Sequence, residues 1–243
     1  MNMNRIRILP LLILLALPSC ATKPQHSDDA AADYAKAKHL MDIGSYSDAN
    51  LFLEQFDAKH PYSRFTIQAE LLRIFAAYKD GEFVLSETLS ERFIDQHPRH
   101  PDVAYAKYML AMSHYKQIGK ADRDPTQTLA AVDSFKKLLK EHPDSNYAKD
   151  GAKRLQLLYN RLAAHELEVG KYYFDNGRYV ASANRFQGIV ENYQTTTSIE
   201  EALYYLAASY AKLGMKKDAS EMAVLLRHNF PRSDWSEKAK PFL

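Results

Sequence analysis

Apolar residues recur at steps of three and four along most of the chain, which is the period of one face of an α-helix. The longest uninterrupted run extends from residue 145 to residue 176 and contains no proline. Its apolar face includes Leu155, Leu158 and Leu162, and Gly177 stops the pattern. At about 1.5 Å per residue such a helix would reach about 48 Å, so we predict that two structural units share it.

Glycines and prolines punctuate the helical pattern at regular intervals. Gly44 and Gly81 are 37 residues apart, as are Gly177 and Gly214, and each closes one helical pattern before another begins. Because proline cannot continue a helix, prolines end the second helix of a pair, at Pro61, Pro98, Pro143 and Pro231. A period in the thirties built from paired helices predicts a solenoid of stacked repeats.

The last unit, residues 200–233, resembles a tetratricopeptide repeat over its whole length. Its signature positions are Ala207, Tyr210, Gly214, Ala219, Ala223, Leu226 and Pro231. The preceding units are 30–63, 67–100, 101–142 with an insert at 118–125, and a fourth that pairs the end of the long helix with 178–193. We therefore predict an all-α tetratricopeptide-repeat superhelix of five helix pairs, or ten helices, in which the long helix is the seventh.

The first residues predict a targeting signal rather than part of the fold. Arg5 and Arg7 precede an apolar block, Ile8 to Leu17, that is too short to span a bilayer. The block, followed by Cys20, resembles a bacterial lipoprotein signal. The alternative is an ordinary secretory signal in which Cys20 is incidental.

The lipoprotein hypothesis divides the first 29 residues into two segments. It implies that residues 1–19 are a signal peptide and that Cys20 becomes an acylated N-terminus. Residues 20–29 then form a polar tether. With Ala21 in place of an aspartate that would signal retention in the inner membrane, the resemblance implies sorting to the outer membrane, with the protein facing the periplasm.

Charge and motifs narrow the function classes. The 32 basic and 30 acidic residues become 30 of each once the first nineteen residues are removed, which argues against nucleic acid as the main partner. We find no phosphate-binding glycine loop, metalloprotease motif or paired cysteines, so we predict a non-enzyme without cofactor. His60, His97 and His142 precede prolines at equivalent repeat positions and are interpreted as structural, and His97 with His100 lacks a third metal ligand nearby.

The lipoprotein signal, five repeats, the insert and the long helix together resemble the BamD (ComL) family of the outer-membrane β-barrel assembly machinery. Local matches are Asp124-Pro125, Ala152 to Leu155, Arg161 to Ala163, Tyr172-Tyr173 and Asn184-Arg185. The resemblance implies that residues 30–143, repeats 1–3, bind the C-terminal signals of unfolded outer-membrane proteins. It implies that residues 144–243 dock on the barrel subunit BamA, with the lipoprotein BamC alongside where it exists. The alternative is an envelope lipoprotein that serves as an adaptor for cell-wall or division proteins.

Candidate binding residues follow from this division. Aromatic and arginine side chains suit a peptide that ends in an aromatic residue and a carboxylate. The candidates in the first half are Tyr62, Arg64, Phe65, Arg73, Tyr78, Tyr105 and Tyr108. Packing between repeats is the alternative role for each of them. Arg185 matches a family arginine linked to BamA contact, and a simple solvated arginine is its alternative.

Overall fold

The structure, a computed structural model, describes residues 27–119 and 125–243. The described residues form α-helices joined by short turns, without a β-strand. The helices are α1 Ser27–Asp42, α2 Tyr46–Glu54, α3 Phe56–Lys59, α4 Thr66–Asp80, α5 Phe83–Gln96, α6 Val103–Gln117, α7 Thr126–Glu141, α8 Ala148–Asp175, α9 Tyr179–Asn192, α10 Ile199–Lys212, α11 Lys216–Asn229 and α12 Asp234–Lys238, followed by a 3₁₀ turn at Lys240–Phe242.

Five antiparallel helix pairs make up this order, as predicted. They are α1 with α2–α3, α4 with α5, α6 with α7, α8 with α9, and α10 with α11. Two details differ from the ten predicted helices. The second helix is interrupted at Gln55, which places both Leu53 and Phe56 in the core of the first pair. The short helix α12 packs Trp235 against Tyr204 and covers the last pair.

The two pairs of glycines spaced by 37 residues end helices as the sequence predicts. Gly44, Gly81, Gly177 and Gly214 have φ between 72° and 88°, a left-handed conformation that residues with a Cβ rarely adopt. In each turn the N–H of the next residue donates to the carbonyl five residues earlier, at 2.9 Å. This is the Schellman arrangement, so the four turns share one backbone geometry.

Helix α8 is continuous from Ala148 to Asp175, which confirms the long helix although it begins three residues later than predicted. Its two interior glycines mark two separate contacts. A Cβ on Gly151 would lie 3.4 Å from Leu138 on α7, and a Cβ on Gly170 would lie 2.6 Å from Phe186 on α9. The first half of α8 therefore packs on α7 and the second half on α9, about 28 Å apart along the helix axis.

Small polar side chains lie where successive pairs meet. Ser113 donates a hydrogen bond to Ser86 at 3.0 Å, and Ser182 and Ser209 are bonded at 3.1 Å; all four are buried. Serine is small enough for close helix approach, and these mutual bonds satisfy its buried hydroxyl. This explains why Ser86 stands where the repeat signature usually has alanine.

Two of the three helix-end histidines, His60 and His97, make contacts of the structural kind predicted for them. His60 Nε2 lies 2.9 Å from Asp33 Oδ2, and His97 Nε2 lies 3.1 Å from Glu70 Oε2. Each contact joins the end of a pair's second helix to its first helix. In the third pair residue 107 is a lysine, which pairs with Glu141 instead.

Candidate functional site

A groove crosses the first helices of pairs 1 to 3. It contains a pocket of about 300 Å³. The lining residues come from α1, α4 and α6 and from the residues directly before α6 and α8: Tyr34, Gln68, Leu71, Leu72, Phe75, Asp102, Tyr105 and Tyr147. Four aromatic rings and two leucines give the groove an apolar floor, which suits apolar side chains of an extended peptide.

Tyr105 and Tyr108 lie side by side at the α6 end of the groove. The ring centroids of Tyr105 and Tyr147 are 5.6 Å apart, and the Tyr108 ring stacks on the Tyr147 ring with centroids 5.1 Å apart. Burial raises the pKa of Tyr105, as does the proximity of Tyr147 and Tyr108. Burial and a 2.7 Å hydrogen bond donated to Asp150 raise the pKa of Tyr108 to about 12. Both hydroxyls therefore remain protonated at neutral pH, and only Tyr105 lines the pocket.

Three of the predicted binding residues, Phe65, Arg64 and Tyr62, lie next to the pocket and not in its lining. Phe65 stacks on Tyr34 with ring centroids 5.2 Å apart, and the Arg64 guanidinium lies 4.8 Å from the Phe65 ring centroid. Tyr62 is 96% exposed, so it makes almost no packing contribution to the fold. The contacts from Tyr34 to Phe65 to Arg64 place a cation next to an aromatic surface. Tyr62 does not line the pocket, but its exposed ring is free to contact a peptide that extends beyond it.

Arg73 and Tyr78 occupy positions in the structure other than the pocket. The Arg73 guanidinium donates to Asn50 Oδ1 at 3.0 Å and to Glu54 Oε1 at 2.9 Å, so it links α4 to α2. Tyr78 packs between the cores of pairs 2 and 3, and burial raises its pKa. The structure thus places Tyr105 in the groove and places Phe65 and Arg64 at its rim, next to Tyr34. It leaves Arg73 and Tyr78 in contacts between repeats.

Sequence reasoning missed Tyr34, Leu72, Phe75 and Tyr147. The sequence contains a signal for Tyr34, because Tyr34, Leu71 and Tyr108 follow one another at intervals of 37 residues. These are equivalent positions on three successive first helices. Applying the glycine period to the aromatic residues would have extended the groove back to α1.

A second cleft of about 480 Å³ lies between α5, α6 and α7. Both lysines in its lining, Lys107 and Lys137, are already in ion pairs. Asp133 pairs with Lys137 at 2.8 Å, and Lys107 pairs with Glu141. These internal pairs reduce the charge that the cleft can offer a ligand, so the aromatic groove is the stronger candidate peptide site.

Arg185 lines a separate hollow of about 470 Å³ on α8 and α9, together with Tyr173, Asn184 and Tyr193. Its Nη1 donates to Glu166 Oε2 at 2.9 Å. The hydrogen bond and the charge of Glu166 raise the pKa of Arg185. Arg185 is exposed, so it remains reachable from solvent while bound to Glu166.

Cys20 and most of the insert lie outside the described residues, as do the signal peptide and most of the tether. Within ranges 27–119 and 125–243, no helix has both the length and the apolar character needed to cross a membrane. In the same part of the chain, histidine, cysteine and acidic residues form no cluster of three suited to a metal ion.

The paired helices and the groove across their first members define the class of the protein, a tetratricopeptide-repeat superhelix. Residues 26–225 match the YfiO family, which is described as an outer membrane lipoprotein family. The chain belongs to this family.

Similar proteins span nearly the whole chain. A Neisseria meningitidis serogroup A protein, named outer membrane protein assembly factor BamD, is 33% identical over 244 residues, covering 93% of this chain and 91% of that protein. A Rickettsia prowazekii protein of the same name is 31% identical over 238 residues, covering 97% and 95%. Among solved structures, the yeast Sti1 TPR2AB domain in its pHSP90 complex has a TM-score of 0.44 at 14% identity, covering 87% of this chain and 81% of that chain.

Proposed function

We propose that this protein is a non-enzymatic scaffold of outer-membrane protein assembly. Its groove binds the C-terminal signals of unfolded outer-membrane proteins, and its C-terminal repeats dock on a BamA-type barrel subunit. The names of the relatives support the general role. The observation that carries the binding proposal is the aromatic groove shared by Tyr34, Phe75, Tyr105 and Tyr147.

The groove suits an extended segment in size and chemistry. Helix axes in contact lie about 8–10 Å apart, so the two spacings between three first helices span about 16–20 Å. An extended peptide rises about 3.3 Å per residue, so about five or six residues cross this span. An aromatic side chain at the peptide's end packs against Phe65 and Tyr34, while Arg64 beside them attracts its terminal carboxylate.

Arg73 supports this site without touching the peptide. Its bonds to Asn50 and Glu54 fix α4 against α2 and so hold the spacing of the first two pairs. Tyr78 and Tyr108 act in the same way through packing and through the bond to Asp150. Phe65 and Tyr105 then supply direct contacts.

Arg185 provides the docking contact for the barrel subunit. An acidic side chain of the partner replaces Glu166 as its ligand, and the half-buried Tyr173 and Tyr193 flank the contact. Acylated Cys20 holds the scaffold on the periplasmic face of the outer membrane, and a BamC-type lipoprotein is an additional partner where one exists. Loss of a buried charged contact typically costs 2–5 kcal/mol or more in binding.

Two binding measurements on two variants test the division of roles. Tyr62→Ala with Phe65→Ala should weaken binding of a fluorescent peptide that carries a substrate C-terminal signal, and spare binding to the periplasmic domain of the barrel subunit. Arg185→Glu should do the reverse. Circular dichroism checks that both variants stay folded. If each folded variant loses both activities, the division is wrong.

Co-purification from outer membranes tests the general role against the adaptor alternative. The proposed scaffold should bring down a BamA-type barrel protein. Recovery of cell-wall or division proteins without a barrel protein would instead support the envelope adaptor.

A further inference from the structure

The four glycine turns offer an internal comparison, because their backbones are the same and their side chains are not. In each, the N–H after the glycine donates to the carbonyl five residues back at 2.9 Å. The residues that carry this N–H are Ser45, Glu82, Arg178 and Met215. Since four different side chains accompany one backbone geometry, the turn itself does not dictate which residues surround the glycine.

Charge at these turns changes from the first pair to the last. Over six-residue windows with glycine in third place, pair 1 carries only an acid, Asp42, and pair 2 carries Lys79 with two acids. Pair 4 balances one acid with one arginine. The pair 5 window, residues 212–217, reads Lys-Leu-Gly-Met-Lys-Lys and contains three bases and no acid.

Apolar exposure accompanies this charge in the pair 5 turn. Leu213 is 37% exposed and Met215 is 42% exposed, on either side of Gly214. Lys212 and Lys216 are exposed. The side chain of Lys217 is 89% exposed and forms a 3.7 Å ion pair with Glu221, which water screens. Two apolar side chains among three lysines form a small amphipathic surface.

We propose that this surface, residues 212–217, rests on an anionic phospholipid bilayer. Lysines near an anionic bilayer are attracted by its surface potential, and exposed apolar side chains enter the headgroup boundary. All three bases are lysine. Arginine, with its planar donors, is the base enriched at protein interfaces, whereas lysine is depleted there, so the composition favours a diffuse anionic surface over a protein partner.

A second membrane contact would orient the scaffold. A single lipid anchor near residue 20 fixes one end of the chain and leaves the superhelix free to swing. Stable membrane attachment commonly combines acyl chains with a basic patch. Contact at the turn of the fifth pair would lay the superhelix along the membrane. This inference goes beyond the proposed binding roles and does not depend on the groove or on Arg185.

The test uses the unacylated chain from residue 21, so that binding cannot come from lipid on Cys20. This chain retains every described helix and all five buried core clusters. Sedimentation measures partition into vesicles of phosphatidylethanolamine and phosphatidylglycerol in a 3:1 ratio, and into vesicles of phosphatidylcholine. The anionic vesicles should bind more protein, and raising the salt concentration should weaken that binding.

Matched variants distinguish binding through the lysines of this turn from binding through exposed lysines anywhere on the protein. Replacing Lys212, Lys216 and Lys217 by glutamine should lower partition roughly tenfold or more at low salt, since each lysine contributes up to roughly fivefold. The control replaces the exposed Lys136, Lys140 and Lys149 by glutamine and changes net charge equally. It should lower partition by less than about threefold, because these lysines lie on α7 and α8 and not at the turn of the fifth pair.

A second pair of variants tests the apolar part. Leu213→Ser with Met215→Ser should weaken partition more than Ile43→Ser with Val84→Ser, which removes two exposed apolar residues from other turns. Equal effects of the two lysine triples, or equal binding to anionic and neutral vesicles, would overturn the proposal. The proposal would also be overturned if the variant with Lys212, Lys216 and Lys217 replaced by glutamine kept its vesicle binding but lost binding to a protein partner, because the turn would then be a protein interface.

Discussion

Gly170 provides a sharp test of the packing between α8 and α9. An added Cβ at this position would lie 2.6 Å from Cε1 and 2.8 Å from Cζ of Phe186. That is about 1 Å shorter than a favourable carbon–carbon contact. Phe186 cannot easily move away, because it is fully buried and stacked on Tyr205 at 5.4 Å. Gly170→Ala must therefore displace a ring in the core or separate the two helices.

The size of the effect follows from two opposing contributions. Alanine in place of glycine inside a helix stabilises by up to about 1 kcal/mol. Overpacking a well-filled core typically destabilises by about 1–3 kcal/mol, and the overlap here favours the upper part of that range. We expect Gly170→Ala to lower the free energy of unfolding by about 1–2 kcal/mol.

Two other helical glycines serve as controls within the same protein. At Gly188 on α9 a Cβ would have no neighbour within 4 Å, and at Gly151 it would make an ordinary contact of 3.4 Å with Leu138. Each alanine variant should therefore be as stable as the parent or more stable, by up to about 1 kcal/mol.

Urea unfolding followed by circular dichroism measures all three variants. A further check combines Gly170→Ala with Phe186→Leu, where the smaller side chain should recover part of the lost stability and reveal a coupling between the sites. If Gly170→Ala proves as stable as Gly188→Ala, α8 and α9 do not pack as described.

Other features make separate predictions. Cys20→Ala should leave the repeats folded, by circular dichroism, but release the protein from membranes; an unmodified Cys20 in mass spectrometry of the mature N-terminus would contradict acylation. Leu158→Pro should unfold much of the chain in a thermal melt, because an interior proline costs about 3 kcal/mol and Leu158 lies in the core of the third pair; a melt like that of the parent would contradict it. Burial alone would raise the pKa of Asp150, but hydrogen bonds from Tyr108 and Arg154 lower it overall. Because folding lowers this pKa below its ordinary value of about 4, the Asp150 carboxylate should stabilise the fold above about pH 4. This contribution should be lost as the pH falls below that value. Asp150→Asn should remove this pH dependence from urea midpoints measured between about pH 2 and 6, and an unchanged profile would refute the assignment.

The turns and the long helix could be predicted because their signals are local. Gly44, Gly81, Gly177 and Gly214 need a left-handed backbone whatever surrounds them, so sequence spacing alone locates them. The continuity of α8 through Gly151 and Gly170 was also predictable, since single glycines weaken a helix without breaking it.

The roles of the candidate binding residues depended on contacts that sequence does not contain. Arg73 is directed at Asn50 and Glu54 because α4 packs beside α2 in one register, and no local pattern encodes that register. Tyr147 lines the groove from the position directly before α8, where the helical pattern of the sequence predicts a residue inside the helix.

The sharing of α8 between two cores has a consequence for the order in which the protein can fold. Phe135 and Leu138 of the third pair are covered by Leu158, which lies well beyond the end of α7. A chain that emerges N-terminus first from a ribosome or a translocation pore has all of the third pair available at residue 142. Its core stays open, however, until about sixteen further residues have followed. The core of the third pair can therefore close only when α8, which also forms the first helix of the fourth pair, has been made as far as Leu158. A chain cut between residues 143 and 144 would lack α8, so its third pair would stay uncovered.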